Sequence, residues 1–331
     1  MIWLLSTTHS KLSACIVLFA QIGLLSGCGA ANSSPKLHTT ISADGEMVAT
    51  LLNAGTNQQI LRIRNLKKDE DWRRVEAPPL TRTIRFAGQG HELLLTYTRP
   101  QAGVAVLARL NLDQPNSNLE KIFELSNLAF PVEVSPGQVM VRTRSEPASD
   151  SKSKRFYLSG YHWILVGSGQ QVQQVGPNPI LPYPAPNIVG SGFFWTEEQI
   201  DGKKDAHPQV LAYPLPGGVA PDIPRERFEK NTWAVECDQK AIRCLRSYVT
   251  NRNQRPEGDF IYDVDVLFGS ARCKLSGMAG FSDDISVTPD GNAAVMSLAP
   301  GYDKPRHVVV MRFTPKQCEA VSVQHIHFEK E

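Results

Sequence analysis

The sequence runs to 331 residues with a formal net charge of +2, 41% hydrophobic and 21% charged. A near-neutral balance with both signs interspersed lacks the concentrated basic face that a nucleic-acid partner requires. A chain of this length buries about three quarters of its unfolded surface on folding, so it needs no partner to fold.

The chain begins with an apolar run, Ser13 to Leu25, behind a single base, Lys11. This is the layout of a signal peptide, with an apolar segment too short for a comfortable membrane span. An uncleaved anchor or a plain secretory signal is the other reading of the run by itself. The residues that follow, Leu25-Ser26-Gly27-Cys28, resemble the lipobox of bacterial lipoproteins. The resemblance implies cleavage before Cys28, a diacylglycerol thioether on its sulfur and acylation of its amine. Lys11 is the only charged residue in 1–27, so its loss leaves +1, which offers a membrane little electrostatic attraction. The palmitate-type acyl chains must then hold the protein down, at about 0.8 kcal/mol per buried methylene. Gly29 is not the aspartate that marks inner-membrane retention in enteric bacteria. By that resemblance the anchor belongs in the outer membrane, facing the periplasm. The expected organisation is a signal peptide over 1–27, a lipidated tether over 28–36 and one domain over 37–331.

From Leu37 onward helical periodicity is nearly absent, and short strands alternate with turn residues. The first unit has a turn at Ser42-Ala43-Asp44-Gly45 and strands over Glu46 to Leu52, Gln59 to Asn65 and Arg73 to Glu76. The second reads Arg82 to Phe86, a turn at Gly88-Gln89-Gly90, then His91 to Thr98, Val104 to Leu110 and Lys121 to Leu125. The third turns at Ser135-Pro136-Gly137, with strands over Val139 to Arg144, Phe156 to Val166 and Gln171 to Val175. The last turns at Thr288-Pro289-Asp290-Gly291, with strands over Ala293 to Leu298, His307 to Phe313 and Glu319 to His325. Self-similarity at about 45 residues is the signature of a blade array. Leu93-Leu94-Leu95 and Val308-Val309-Val310 are apolar at consecutive positions, so both faces of those strands must be covered.

Ser42-Ala43-Asp44-Gly45-Glu46-Met47-Val48-Ala49 and Thr288-Pro289-Asp290-Gly291-Asn292-Ala293-Ala294-Val295 resemble the repeated S-P-D-G-x-x-hydrophobic-A motif of TolB-like, or WD40-like (PD40), β-propellers. The second and third units depart from the motif, and the fourth and fifth have lost it. The resemblance implies an all-β fold, a single propeller of about six four-stranded blades. A sandwich array or a β-helix is the structural alternative.

Units four and five are irregular. Pro177 to Pro186 is rich in proline, which cannot donate within a ladder, and is expected as a rim connection. Ser191 to Glu198 and Gln209 to Tyr213 are expected strands, and Pro214 to Arg227 a long loop. Trp233 to Glu236, Ile242 to Thr250 and Phe260 to Phe268 complete unit five. Long rim loops commonly carry recognition, so 177–227 is the expected partner-facing rim, with Tyr183, Phe194 and Trp195 as candidate contacts. The run Phe193-Phe194-Trp195 also fits blade core, as do Trp72, Trp163 and Trp233.

With Cys28 carrying lipid, Cys237, Cys244, Cys273 and Cys318 remain, an even number suited to disulfides in an oxidising periplasm. Cys237 with Cys244 across a tight turn, and Cys273 with Cys318, is the expected pairing. Three pairings are possible and the spacing does not choose among them; a zinc site, lacking CxxC spacing, is the rival. Asp263 and Asp265 share a strand face and Asp283-Asp284 precede the last turn, so these carboxylates are weak candidates for calcium at a propeller mouth. Carboxylates in turns more often cap backbone amides. His325 and His327 point to one face of a terminal strand, with Val321 and Val323 beside them and no third metal ligand nearby in sequence.

Neither a G-x-S-x-G elbow nor a Gly-rich phosphate loop is present. The reading is a non-enzymatic, lipid-anchored propeller that binds an envelope protein, with no cofactor. The alternative is a propeller enzyme or ligand-binding protein, of lyase or glycan-hydrolase type, using channel-mouth carboxylates and calcium.

Overall fold

Consecutive apolar residues in short strands dictate an architecture in which every sheet is covered on both faces, and stacked sheets around an axis satisfy that demand. The computed structural model describes residues 37–68, 70–88, 90–113, 119–144, 161–167, 171–176, 186–197, 208–228, 232–249, 262–275, 284–298 and 306–328. They form six antiparallel sheets, each of consecutive strands. Blade 1 is β1 (Leu37–Ile41), β2 (Met47–Leu52), β3 (Ile60–Asn65) and β4 (Arg73–Val75). Blade 2 is β5 (Thr81–Phe86), β6 (Glu92–Arg99), β7 (Val104–Asn111) and β8 (Leu119–Leu125). Blade 3 is β9 (Leu128–Ser135), β10 (Gln138–Arg144), β11 (Tyr161–Val166) and β12 (Val172–Val175). Blade 4 is β13 (Asn187–Val189), β14 (Gly192–Glu197) and β15 (Gln209–Pro214). Blade 5 is β16 (Thr232–Cys237), β17 (Arg243–Val249), β18 (Tyr262–Phe268) and β19 (Ala271–Lys274). Blade 6 is β20 (Ile285–Val287), β21 (Ala293–Leu298), β22 (His307–Phe313) and β23 (Ala320–His327). The fold is the expected six-bladed all-β propeller. Blade 4 departs from four strands, showing three among the described residues.

β1 lies against β5 and β20, β5 against β9, and β16 against β13 and β20, so the first strand of each blade lines the middle. Alternate residues of the longer strands then enter the two neighbouring blade interfaces. Leu93 and Leu95 pack with blade 1, while Leu94 packs with blade 3. Val309 and Met311 pack with blade 5, while Val308 and Val310 pack with blade 1. Among the described residues six apolar clusters result, one for each pair of adjacent blades. Fully burying a side chain such as Leu94 contributes about 1.5–3 kcal/mol.

The repeated turns are held by side-chain oxygen. Ser42 Oγ donates to Asp44 Oδ1 at 2.5 Å and accepts from Met47 N at 2.9 Å, while Glu46 N donates to Asp44 Oδ1 at 2.9 Å. Thr288, Asp290, Asn292 and Ala293 repeat this network at 2.7, 2.9 and 3.0 Å. Gly45 and Gly291 supply the positive φ, 71° and 72°, at which an L residue pays about 1–2 kcal/mol. Blade 5, whose sequence had lost the motif, keeps the turn with different residues. Asp238 accepts from the backbone of Lys240, Ile242 and Arg243, and Ala241 takes the positive φ, 51°.

Among the described residues blades 1 and 6 each have four strands of their own, and blade 6 meets blade 1 through side chains. Ile41 and Val48 pack with Val295, Val308 and Ile326. Arg312 Nη2 donates to the Gly45 carbonyl at 2.5 Å. Disulfides join Cys237 to Cys244, with Cα atoms 4.0 Å apart across the β16–β17 hairpin, and Cys273 to Cys318, 5.8 Å apart. These are the expected pairs, and the second ties blade 5 to blade 6. Among the described residues no helix is long and apolar enough to cross a membrane.

Candidate functional site

The first strands carry polar residues where the longer strands carry apolar ones, because they face the central channel. Some of these residues rivet neighbouring blades. Thr40 Oγ1 accepts from Phe86 N at 3.2 Å, and the Asn187 amide donates to Val235 O at 3.1 Å and accepts from Cys237 N at 2.7 Å.

The channel itself is tied across. Arg85 of β5 donates from both terminal nitrogens to the carboxylate of Glu236 on β16, the longer contact at 3.5 Å. Glu236 has a side chain only 5% exposed. Burial pushes its carboxyl up from the ordinary value, the Arg85 charge and hydrogen bond pull it back in part, and the Asp284 charge pushes it further up. A wider pocket opens on the turn side, beside Ala43, Gly88 and Pro289, and a narrower one on the other, beside His38 and Phe130. Arg85, Thr40 and Ser286 line both, which puts the tie where the two pockets adjoin.

At the smaller mouth His38 Nδ1 lies 3.2 Å from Asp284 Oδ2, and Thr39 N donates to the same oxygen at 3.1 Å. This pair spans the seam between blades 1 and 6. Phe130 stands edge-on to His38, centroids 6.5 Å apart, with the Arg142 guanidinium over its ring at 4.5 Å. The Phe130 backbone is at φ 52°, a conformation that costs an aromatic residue about 1–3 kcal/mol and that gathers at ligand clamps. Nothing in the sequence singles out Phe130 beyond Pro131, which biases it away from helical geometry.

The turn-side rim is braced between blades. Gly190 N donates to Gln239 O and Gln239 N to Pro289 O, each at 3.0 Å, and Arg243 donates to Gly291 O. Between blades 1 and 2, His91 bridges two acids, Nδ1 to Asp113 at 2.8 Å and Nε2 to Asp44 at 3.6 Å. The hydrogen bond to Asp113 leads in raising the His91 imidazolium above its ordinary value. Burial works to raise Asp44, but the hydrogen bonds from Ser42 and Glu46 N and the His91 charge outweigh it and hold Asp44 low. A raised histidine stabilises the fold fully below its unfolded value and loses that contribution as pH rises through the folded one. The urea midpoint is therefore expected to fall between pH 6 and 8 by more in the parent protein than in His91→Gln. Parallel pH profiles for the two would remove His91 as the cause.

The residues singled out in the sequence fall in different places. Phe194 and Trp195 are fully buried, and this corrects their assignment to a contact rim. Phe194 stacks on Phe228 toward blade 5, while Trp195 faces Trp163 toward blade 3, so the aromatic run fills two interfaces. Asp265 is buried beneath Arg246 and Arg272, and Asp263 meets Lys274 at 2.8 Å. These cations occupy the lone pairs a calcium ion would use. Only Asp284, of the three described carboxylates, borders the channel. Asp283, Tyr183 and Cys28 lie outside the described residues.

No family model matches the sequence, and no curated protein matches it. Solved structures do resemble the fold. The β-propeller domain of the Trilobed protease from Pyrococcus furiosus, described as having an open velcro topology, aligns with a TM-score of 0.52 at 10% identity, over 89% of this chain and 85% of that one. TolB from Acinetobacter baumannii aligns with a TM-score of 0.55 at 13% identity, over 82% of this chain and 62% of that one. Pyrococcus horikoshii acylaminoacyl peptidase gives 0.52 at 11% identity, over 91% of this chain and 47% of that one. The chain spans less than two thirds of TolB and about half of the peptidase. At these identities the likeness is one of fold. The protein has a TolB-like β-propeller fold, shared by solved structures that include TolB and the propeller domain of a protease.

Proposed function

We propose that this is a lipid-anchored propeller of the bacterial envelope, held in the outer membrane through Cys28 and binding another envelope protein on its rim without chemistry of its own. The observation that carries the reading is the Arg85–Glu236 tie. It spans the channel from blade 2 to blade 5 and gives the buried acid a cationic partner, so the carboxylate deepest in the channel is already engaged. The turn-side rim, braced by backbone and arginine hydrogen bonds, is suited to present a rigid face, which lowers the ordering cost of association.

Two experiments test this. Cys28→Ala is expected to move the protein from the membrane fraction to the soluble periplasm; retention in the membrane would sink the anchoring reading. Affinity capture of the lipidated protein from its own envelope is expected to recover a stoichiometric protein partner, and recovery of the propeller by itself under crosslinking counts against the scaffold role. A second reading, ligand binding or lyase-type chemistry with calcium, is favoured by the His38–Asp284 pair beside the strained Phe130. Calorimetric binding of calcium or an envelope glycan that Asp284→Asn abolishes would shift the preference to it.

A further inference from the structure

The sequence places His325 and His327 on one face of β23 and offers no third ligand beside them. The structure supplies one from the neighbouring strand. In the β22–β23 ladder His307 is directly opposite His327, and His325 is opposite Val309, two residues along the same face. Cross-strand and diagonal neighbours of this kind are within reach of one another. His307 Nε2 lies 2.9 Å from His325 Nδ1, and the His307 ring centroid is 4.8 Å from that of His327 and 5.1 Å from that of His325.

His307 is 4% exposed, whereas His325 and His327 are exposed. Neutral imidazole is the form that binds borderline divalent metals.

We propose that His307, His325 and His327 form a binding site for a divalent transition ion of the zinc, copper or nickel class, open to solvent on the edge of blade 6. As the rings stand, no group of three His, Cys, Asp or Glu among the described residues converges on one point. The His307–His325 hydrogen bond, in which the two nitrogens face each other, must open so that both aim at one point. Two nitrogens bound to one tetrahedral zinc at about 2.05 Å are about 3.3 Å apart, and the His307–His325 pair already stands at 2.9 Å. Rotation of the exposed His327 about its side-chain torsions turns a nitrogen toward that pair, and water completes the set. Binding opens the His307–His325 hydrogen bond, each ring keeping its one proton on the nitrogen turned away from the ion, and protons compete with the ion for the imidazoles as pH falls.

Zinc chloride titrated calorimetrically into the disulfide-bonded protein, purified without a polyhistidine tag and stripped with chelator, is expected to bind one ion per chain at pH 7.5 and to lose affinity at pH 5.5. His325→Ala and His327→Ala, both exposed and so compatible with folding, are each expected to weaken binding by at least the roughly 100-fold that losing an outer support of a metal site can cost. His307→Gln should do the same if circular dichroism shows it folded, and His91→Ala should leave binding intact. Binding unchanged in the His325→Ala/His327→Ala double variant, or absent in the parent, overturns the proposal.

Discussion

Asp265→Ala is expected to lower the unfolding free energy by about 3–5 kcal/mol, the largest loss of any single substitution considered for this propeller. Asp265 and Arg246 are both fully buried, Arg246 donating from Nε at 2.9 Å and from Nη2 at 2.7 Å. Arg272 adds a third donor at 2.5 Å. Truncating the acid strands the Arg246 charge in the blade, and its stacking over Tyr248 at 4.6 Å offsets only part of that penalty. Arg272, a third exposed, can turn to water and does not share the cost. Urea unfolding followed by tryptophan fluorescence measures the difference. Replacing both partners, as Arg246→Met with Asp265→Leu, should recover most of the loss, because a buried pair contributes little over apolar residues of similar volume. A single variant within about 1 kcal/mol of the parent would show that water reaches the pair.

The second large effect is expected from the two disulfides, and from their order. Cys273→Ser with Cys318→Ser opens a cross-link with a sequence separation of 45, for which chain entropy predicts about 4 kcal/mol. Cys237→Ser with Cys244→Ser opens one of separation 7, for which the same relation gives about 2.5 kcal/mol. The geometry points the same way. Cys237 and Cys244 face each other in a hairpin whose register the ladder already fixes, whereas Cys273 and Cys318 staple the outer strand of blade 5 to a turn of blade 6. Non-reducing urea titrations of the two double variants measure the order, and equal or reversed losses would contradict it. Thiol titration of the unreduced parent should find none of these four cysteines reactive.

The fold was legible where side-chain chemistry and backbone geometry coincide. Asp44-Gly45 and Asp290-Gly291 announce their turns because the same residues that hold the turn also tolerate it. Asp238 and Ala241 build the same turn with an acid in the hydroxyl's place and a strained alanine in glycine's, and no motif captures that exchange. The innermost strands were hidden for another reason. Asn187–Val189 and Ile285–Val287 are three residues long and partly polar, too short for alternation to emerge, since their partners are neighbouring blades and the channel. Phe194 and Trp195 were ambiguous because a blade buried on both sides and an aromatic contact surface demand the same residue types. Arg85–Glu236 and His307–His325 join positions 151 and 18 residues apart, and only closure of the ring or pairing of the ladder brings them together.

The seam between blades 6 and 1 bears on how such a ring can change. Since the described strands of each sheet are consecutive in the chain, a cut at a connection between blades would divide none of these sheets. Loss or duplication of a whole blade would likewise remove or add a complete unit with its two half-interfaces. The ring is thus a string of interchangeable parts whose circular order matters more than its linear beginning. The contact of His38 with Asp284 and the packing of Val48 on Val295 mark one junction among the six that the described strands form, built from side chains as the others are.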